Sequence, residues 1–398
     1  MDVFDFYGKI ALGKETEKFK PIERKNYQSG WTNTTVKFNC LSGSNRVLCT
    51  IQGGKWTDDK KNSIKTYSKS TRDLNGNVVK GSAIEIPWSK RFDKEQIDKV
   101  AGFKKFVVDT GDYRMRYKLQ DAIKAFDNGT ITEELKSEIG VDTAEEAKVE
   151  LEKSLAKKKE FLSEWDFAEY MVKVLQSDKF KDKMFTVSGE YEVQYNSNKG
   201  QFYANYHVNR VVMMPDDVTP KTEMKIDFYY GENAWNDAAH EETGKVVVDG
   251  WVAYYDSILK RHGFKSTAVT IKENEKKTAA LKRKFACDED KIKQIGLTLS
   301  VIDGAETVEL TMDMLDDETR EDIECGLLDF EDVKRELGGR AIGDRINELR
   351  FAELTPKKNV AQETVYTVGD MHPAREELIE EEDDDDVVDL FSDDDDDL

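Results

Sequence analysis

Residues 185–212 read FTVSGEYEVQYNSNKGQFYANYHVNRVV. Phe185, Val187, Gly189, Tyr191, Val193 and Tyr195 alternate with Thr186, Ser188, Glu190, Glu192 and Gln194. Successive side chains of a strand point to opposite sides, so this period of two predicts a long strand with one buried face. Gly189 at its middle predicts a bulge or a sharp coil. The turn Asn196-Ser197-Asn198-Lys199-Gly200 then leads into a second long strand, QFYANYHVNRVVMM.

Further strands are expected at 222–230 (TEMKIDFYY), 245–255 (KVVVDGWVAYY) and 266–272 (STAVTIK), and Gly250 repeats the mid-strand glycine. Residues 297–312 are expected to add a strand pair. Residues 316–337 read as one or two short helices stopping at Gly338-Gly339, with 349–354 as a closing strand. Toward the N-terminus, 31–56 reads as two strands around a Ser-Gly-Ser-Asn turn, with β-branched and aromatic residues enriched. More strands are expected at 62–70, at 78–86 after the Asn75-Gly76 turn signal, and at 104–119. Residues 143–179 change character: a Glu/Lys-rich solvated helix precedes FLSEWDFAEYMVKVL, whose apolar residues recur at i,i+3 and i,i+4 and mark a packing helix.

The fold class is therefore mainly β with helical insertions (α+β). Bent, glycine-containing strands with few intervening helices point to OB-fold-like β-barrels. An immunoglobulin-like sandwich would show turns at a more regular 8–12-residue spacing and no helix at 316–337. The expected organisation is an N-terminal β-rich domain at 1–142, a helical connector at 143–182, a C-terminal OB-like barrel with a helical insertion at 183–358, and a linker with an acidic tail at 359–398. Whether the N-terminal half forms a barrel of its own is left open at this point.

The chain has 398 residues, 38% hydrophobic and 35% charged, with a net charge of −21. From Glu376 to Leu398 there are fifteen carboxylates and no Lys or Arg, so residues 1–375 carry only −6. A nearly balanced body still accommodates a basic groove. Like-charge repulsion and the lack of apolar area predict that the tail is disordered. No apolar run approaches the ~18–20 residues of a membrane helix, and the acidic N-terminus lacks a secretion signal, so a cytoplasmic protein with no membrane partner is expected. Four cysteines without a C-x-x-C pair fit a reducing compartment, and four scattered histidines argue against zinc.

Basic and aromatic residues interleave in three places. Arg46, Lys55, Trp56, Lys60, Lys61, Lys65 and Tyr67 form one group, and Tyr113, Arg114, Arg116, Tyr117 and Lys118 a second on an expected strand. Tyr191, Tyr195, Lys199, Phe202, Tyr203, Tyr206 and Arg210 form the third. Cations beside flat rings are what single-stranded nucleic acid needs, since phosphates seek charge and unpaired bases stack. The competing reading is ordinary: half the rings on a strand face the core. The tail adds a polyanion with apolar islands, whose Leu390, Phe391, Asp393, Asp397 and Leu398 offer partner proteins both charge and grip. Tethered to a basic groove, such a polyanion competes with nucleic acid at an effective concentration of roughly mM.

On residues 185–212 and the tail from Glu376, the chain resembles a bacteriophage-type replicative single-stranded DNA-binding protein. The resemblance implies an OB-fold body that coats unpaired DNA in replication and recombination. It also implies a tail that recruits polymerase, helicase or primase, and, for a phage-encoded protein, the cytoplasm of a bacterial host. The chain departs from the smaller bacterial proteins of that type in its length and in lacking a Pro-Phe tip. No cofactor or metal is expected, and no catalytic residue is assigned. No G-x-x-x-x-G-K-[ST] loop or G-x-S-x-G elbow occurs. Gly338-Gly339 follows a helix and reads as its stop. Asp313, Asp316 and Asp317 with Glu318 are hard oxygen ligands that could hold a divalent ion, but at the start of an expected helix they read as capping and dipole compensation, and His207 shows no acid–base partner. The alternative is a structural or assembly protein, a virion or scaffold component, with a solubilising tail.

Overall fold

The computed structural model describes residues 2–73, 76–196, 199–238, 240–272, 275–309, 312, 315–336, 340–355, 362–363 and 366–374. The chain is mainly β, and it forms two compact units. The first comprises Met1–Tyr191, Asn205–Met224 and Ser300–Glu348. The second comprises Glu192–Ala204, Lys225–Leu299 and Leu349–Leu398.

In chain order, strands β1 (Val3–Leu12), β2 (Ile22–Asn26), β3 (Trp31–Ser42) and β4 (Asn45–Trp56) come first. A long excursion follows, with β5 (Ser63–Tyr67), β6 (Thr71–Arg72), β7 (Val78–Val79), β8 (Ala83–Pro87) and helix α1 (Lys94–Lys99). Next come β9 (Phe106–Asp109), α2 (Tyr113–Asp127), α3 (Glu133–Ile139), α4 (Ala144–Leu155), β10 (Lys158–Phe161) and α5 (Glu164–Leu175). The two decisive strands are β11 (Met184–Asn196) and β12 (Gln201–Met214), followed by β13 (Lys221–Tyr230), β14 (Trp235–Asn236), α6 (His240–Thr243), β15 (Lys245–Asp256) and β16 (Arg261–Lys272). The remainder is α7 (Glu275–Lys284), β17 (Lys293–Glu309), α8 (Asp317–Glu324), α9 (Phe330–Glu336), β18 (Arg340–Leu354) and β19 (Gln362–Glu363).

In the first unit, β1 pairs antiparallel with β3, from Lys9↔Leu41 to Leu12↔Phe38. It also pairs with β11, from Val3↔Glu190 to Lys9↔Met184. β3 pairs with β4 along its whole length, and β11 pairs with β12. β12 then meets β4 in parallel at Tyr206↔Cys49 and His207↔Thr50. The pairings thus close a circuit, β1–β3–β4–β12–β11–β1. Alternation fills its inside: Phe4, Phe6, Val36, Phe38, Cys40, Val47, Cys49, Ile51, Phe185 and Val187 are all buried. In this circuit the hairpin 185–212 is flanked by β1 and β4.

Gly189 carries the long strand past its neighbour, because a Cβ there would collide with the His207 backbone carbonyl. Gly53 does the same service for α5, whose first turn at Glu164 and Trp165 lies against the glycine. Ser163 caps that helix by accepting from the Asp166 N–H. Phe167, Ala168, Met171, Val172 and Val174 form its buried stripe, packed on β3 and β4.

Three expectations need correction. Residues 104–119 are not one strand: β9 stops at Asp109, and Asp112 starts α2 by accepting from the Met115 N–H. Met115, Leu119, Ala122, Ile123 and Phe126 recur at helical spacing and pack with Ile139 and Ala147. The strand pair expected at 297–312 is a single strand, β17, and the closing strand β18 begins nine residues earlier than 349, at Arg340. Gly338 and Gly339 lie outside the described residues, as does the whole tail.

In the second unit, β15 and β16 pair over their full length, Lys245↔Lys272 to Asp256↔Arg261. β13 joins β15 at Phe228↔Val252, and β18 joins β16 in parallel at Val269↔Leu349. Phe228 and Tyr230 are buried against Phe285, and the Tyr230 hydroxyl donates to the Lys284 carbonyl at 2.8 Å. Among the described residues no helix is long and apolar enough to cross a membrane.

Candidate nucleic-acid interface

Residues opposed across an antiparallel pair share a face. The register Trp31↔Trp56, Thr35↔Gln52, Lys37↔Thr50, Asn39↔Leu48 and Leu41↔Arg46 therefore defines the outer face of the β3–β4 ribbon, opposite the buried Val36, Phe38, Cys49 and Ile51. Arg46 and Leu48 are exposed on it. At this end a cleft of about 730 Å³ opens, lined by Lys14 and Phe19 from the β1–β2 connection and by Asn39, Arg46 and Leu48. Asp303 also borders it and offsets part of its positive charge.

At the other end Trp31 and Trp56 meet edge to face, with ring centroids 5.2 Å apart. Lys61 Nζ sits 5.4 Å from the Trp56 ring centroid. Asn62 fixes this corner: its Oδ1 accepts from the Trp56 N–H and its Nδ2 donates to the Trp56 carbonyl, both at 2.8 Å. Lys55, on the inner side of the ribbon by parity, lies 5.3 Å from the Trp165 ring. From Arg46 to Trp56 the face runs about 33 Å at roughly 3.3 Å per residue. One surface thus holds cations at one end, rings at the other, and Thr35, Lys37 and Gln52 between.

Lys65 and Tyr67 are exposed on β5, beyond the Trp56 corner. The second sequence group is dispersed by its helix. Arg116 is buried, bound to Asp109 at 2.5 and 2.7 Å and to the Ser154 hydroxyl at 2.9 Å, so it holds the fold together. Arg114 pairs with Asp217 at 2.9 Å, which raises its pKa, and Lys118 pairs with Glu138. Tyr113 and Tyr117 meet edge to face, with Tyr117 exposed.

The third group divides between the units. In the first, Tyr206 is packed against Phe4, Phe6 and Tyr191, and burial pushes the Tyr191 hydroxyl up to about 12 and that of Tyr206 up as well. Arg210 is half-buried opposite Val107 of β9. In the second, Tyr195 and Phe202 pack at 4.9 Å, Phe202 stands edge-on to Tyr254, and Tyr203 and Lys199 are exposed. Leu390, Phe391, Asp393, Asp397 and Leu398 lie outside the described residues.

Sequence reasoning missed Lys14, Phe19, Trp31 and Leu48. Trp31 was recoverable, since it begins the strand that pairs with Trp56; Lys14 and Phe19 gave no periodic signal. His207, expected to stand alone, has its Nε2 3.3 Å from Glu164 Oε1. All four cysteines are free, and burial pushes the Cys40 thiol up to about 12. Among the described residues no group of three or more His, Cys, Asp or Glu is placed to hold a metal ion. Asp316 caps α8 by accepting from Thr319, which lowers its pKa.

No protein-family model matches the sequence, and comparison with curated proteins finds no match. Among solved structures, the chain is similar to a deletion variant of the single-stranded DNA-binding protein from Thermus aquaticus, with a TM-score of 0.28 and 8% identity. The match covers 76% of this chain and 87% of that one. A likeness this weak leaves fold and function to be argued from the chain's own residues.

Proposed function

We propose that the chain is a non-enzymatic single-stranded DNA-binding protein whose five-strand circuit is an OB-type barrel. The supporting observation is the coincidence of connectivity and surface. Taken in chain order, β1, β3, β4, β11 and β12 close with the fifth strand beside the third and the fourth beside the first, as a closed Greek-key barrel requires. Such barrels bind oligonucleotides on the face of strands two and three and the loop joining strands one and two. In this chain those places hold Arg46, Leu48, Trp31 and Trp56 on the ribbon and Lys14 and Phe19 on the loop.

The mechanism has two parts. Lys14, Lys37, Lys61 and Arg46 displace counterions from phosphates, so affinity falls with salt. Trp31, Trp56 and Phe19 offer flat surfaces to unpaired bases, which duplex DNA withholds. The finer reading is a phage-type replication protein whose tail competes with DNA for this face and recruits polymerase, helicase or primase.

Tryptophan fluorescence on addition of oligo-dT, at low and high salt and with duplex as control, tests the reading. Quenching by the single strand that weakens with salt is expected. No salt-sensitive quenching would leave the assembly-protein alternative in its place.

A further inference from the structure

The excursion between β4 and β9 packs Ile64, Ile86, Trp88 and Val100 into a small core with Leu162 from the β10–α5 connection, and it begins at the Trp56 corner. Residues 57–105 hold twelve Lys and Arg against seven Asp and Glu, a surplus of five, while residues 1–375 as a whole are at −6. Three of its rings are turned to solvent: Phe103 is 73% exposed, Phe92 57% and Tyr67 49%. Apolar surface left exposed and gathered in one region marks a site of interaction.

Their placement is continuous with the ribbon face. The turn Asp59–Lys61, which carries the lysine over Trp56, packs beside the turn Trp88–Lys90 that precedes Phe92. Arg91, held by Asp166 at 2.7 Å, stacks its guanidinium 4.3 Å from the Phe92 ring centroid and 4.2 Å from that of Trp88. Along β5, Ile64 and Thr66 point inward and Lys65 and Tyr67 outward. The Tyr67 carbonyl accepts from the Ala101 N–H at 2.9 Å, which brings Phe103 and Lys104 to the far end of the strand. Lys104 Nζ lies 5.8 Å from the Phe103 ring centroid.

We infer that this excursion is a second contact surface for single-stranded nucleic acid, which leaves the ribbon face at Trp31 and Trp56 and continues over Phe92, Tyr67 and Phe103, its phosphates met by Lys65, Lys90 and Lys104. The inference rests on the ribbon-face reading above. Positive surplus fits the phosphates, and exposed rings beside cations fit a ligand in which every unit carries both a phosphate and a flat base.

The test uses the full chain with oligo-dT of about 8 and about 30 nucleotides, since one OB fold covers roughly 4–16. Two variants are compared with wild type, Phe92→Ala with Phe103→Ala, and Lys65→Gln with Lys90→Gln and Lys104→Gln. Both should keep the short-oligonucleotide affinity and lose about tenfold or more on the long one. The lysine variant should also lower the long oligonucleotide's salt slope by about 2, three contacts at roughly 0.7 each. The three lysines are exposed, so that variant keeps the test sound should the alanines loosen the fold. An unchanged long-oligonucleotide affinity, or an equal loss on both lengths, overturns the second surface. Failure of wild type to bind either length brings down the ribbon-face reading itself, and the inference with it.

Discussion

Arg116 and Asp109 form a two-armed ion pair, 2.5 and 2.7 Å long, inside the first unit, with both side chains about nine-tenths buried. Gly111 stands where a Cβ would strike the guanidinium, and its N–H donates to Asp109 at 2.9 Å. The glycine thus makes room for the arginine and helps satisfy its partner. Removing one member of a buried pair strands the other charge away from water. Arg116→Met should therefore destabilise the protein by about 3–5 kcal/mol, measured by urea unfolding, while the folded fraction keeps its affinity for oligo-dT. A loss of affinity at unchanged stability would place Arg116 on the DNA after all.

Arg46→Gln addresses the proposed face directly. The side chain is exposed and lines the cleft, so stability should be unaffected. The affinity for oligo-dT should fall and the salt slope should drop by about 0.7, the share of one single-strand phosphate contact. Titrations at several salt concentrations read both; an unaltered slope removes Arg46 from the interface.

Gly189→Ala should destabilise by about 1–3 kcal/mol, the usual cost of forcing extra atoms into a packed site. A Cβ there collides with backbone, the His207 carbonyl, which has no rotamer by which to yield. A thermal melt matching wild type would show that β11 and β12 separate more easily than their spacing implies.

Glu169 gives a signature in pH. Hydrogen bonds from Arg24, two at 3.0 Å, lower its pKa, and the Thr34 hydroxyl adds another at 2.9 Å. A carboxylate with a depressed folded pKa contributes stability that is present above its unfolded value of about 4.3 and is lost as pH falls through the folded one. Glu169→Gln should thus melt below wild type at pH 6, and the gap should close on acidification past pH 4. Both side chains are partly exposed, so the gap is small. A gap that persists at low pH would assign the effect to packing.

Deletion of residues 376–398 removes fifteen carboxylates and no base. If they occupy the DNA face intramolecularly, the shortened protein should bind oligo-dT more tightly at low salt and lose its association with replication proteins. Weaker binding after deletion would contradict the competition.

The sequence made β3, β4, β11 and β12 legible because each alternates over many residues and is closed by a clear turn. It hid their assembly. Nothing local says that β12 lies parallel to β4 across more than 150 intervening residues, or that β1 completes the circuit. The error at 113–118 has a specific cause: Tyr113, Met115 and Tyr117 mimic a period of two, while the helical period shows only when Leu119, Ala122, Ile123 and Phe126 are included. Trp56 and Arg46 were legible as a pairing of ring and cation. That they share one face with Trp31 and Leu48 depended on the register, fixed by the turn at Gly43, whose φ is +62°. Aromatic content alone misled at Tyr191 and Tyr206, whose rings are spent on packing.

The two units are interleaved along the chain: the first takes residues up to Tyr191, then Asn205–Met224, then Ser300–Glu348. A ribosome making this protein must therefore emit nearly nine-tenths of it before the first unit has all its parts, and the second takes its last segment later still. Fragments cut between neighbouring segments would sever strands rather than release modules, and partial digestion should yield nicked but associated pieces sooner than free-standing ones.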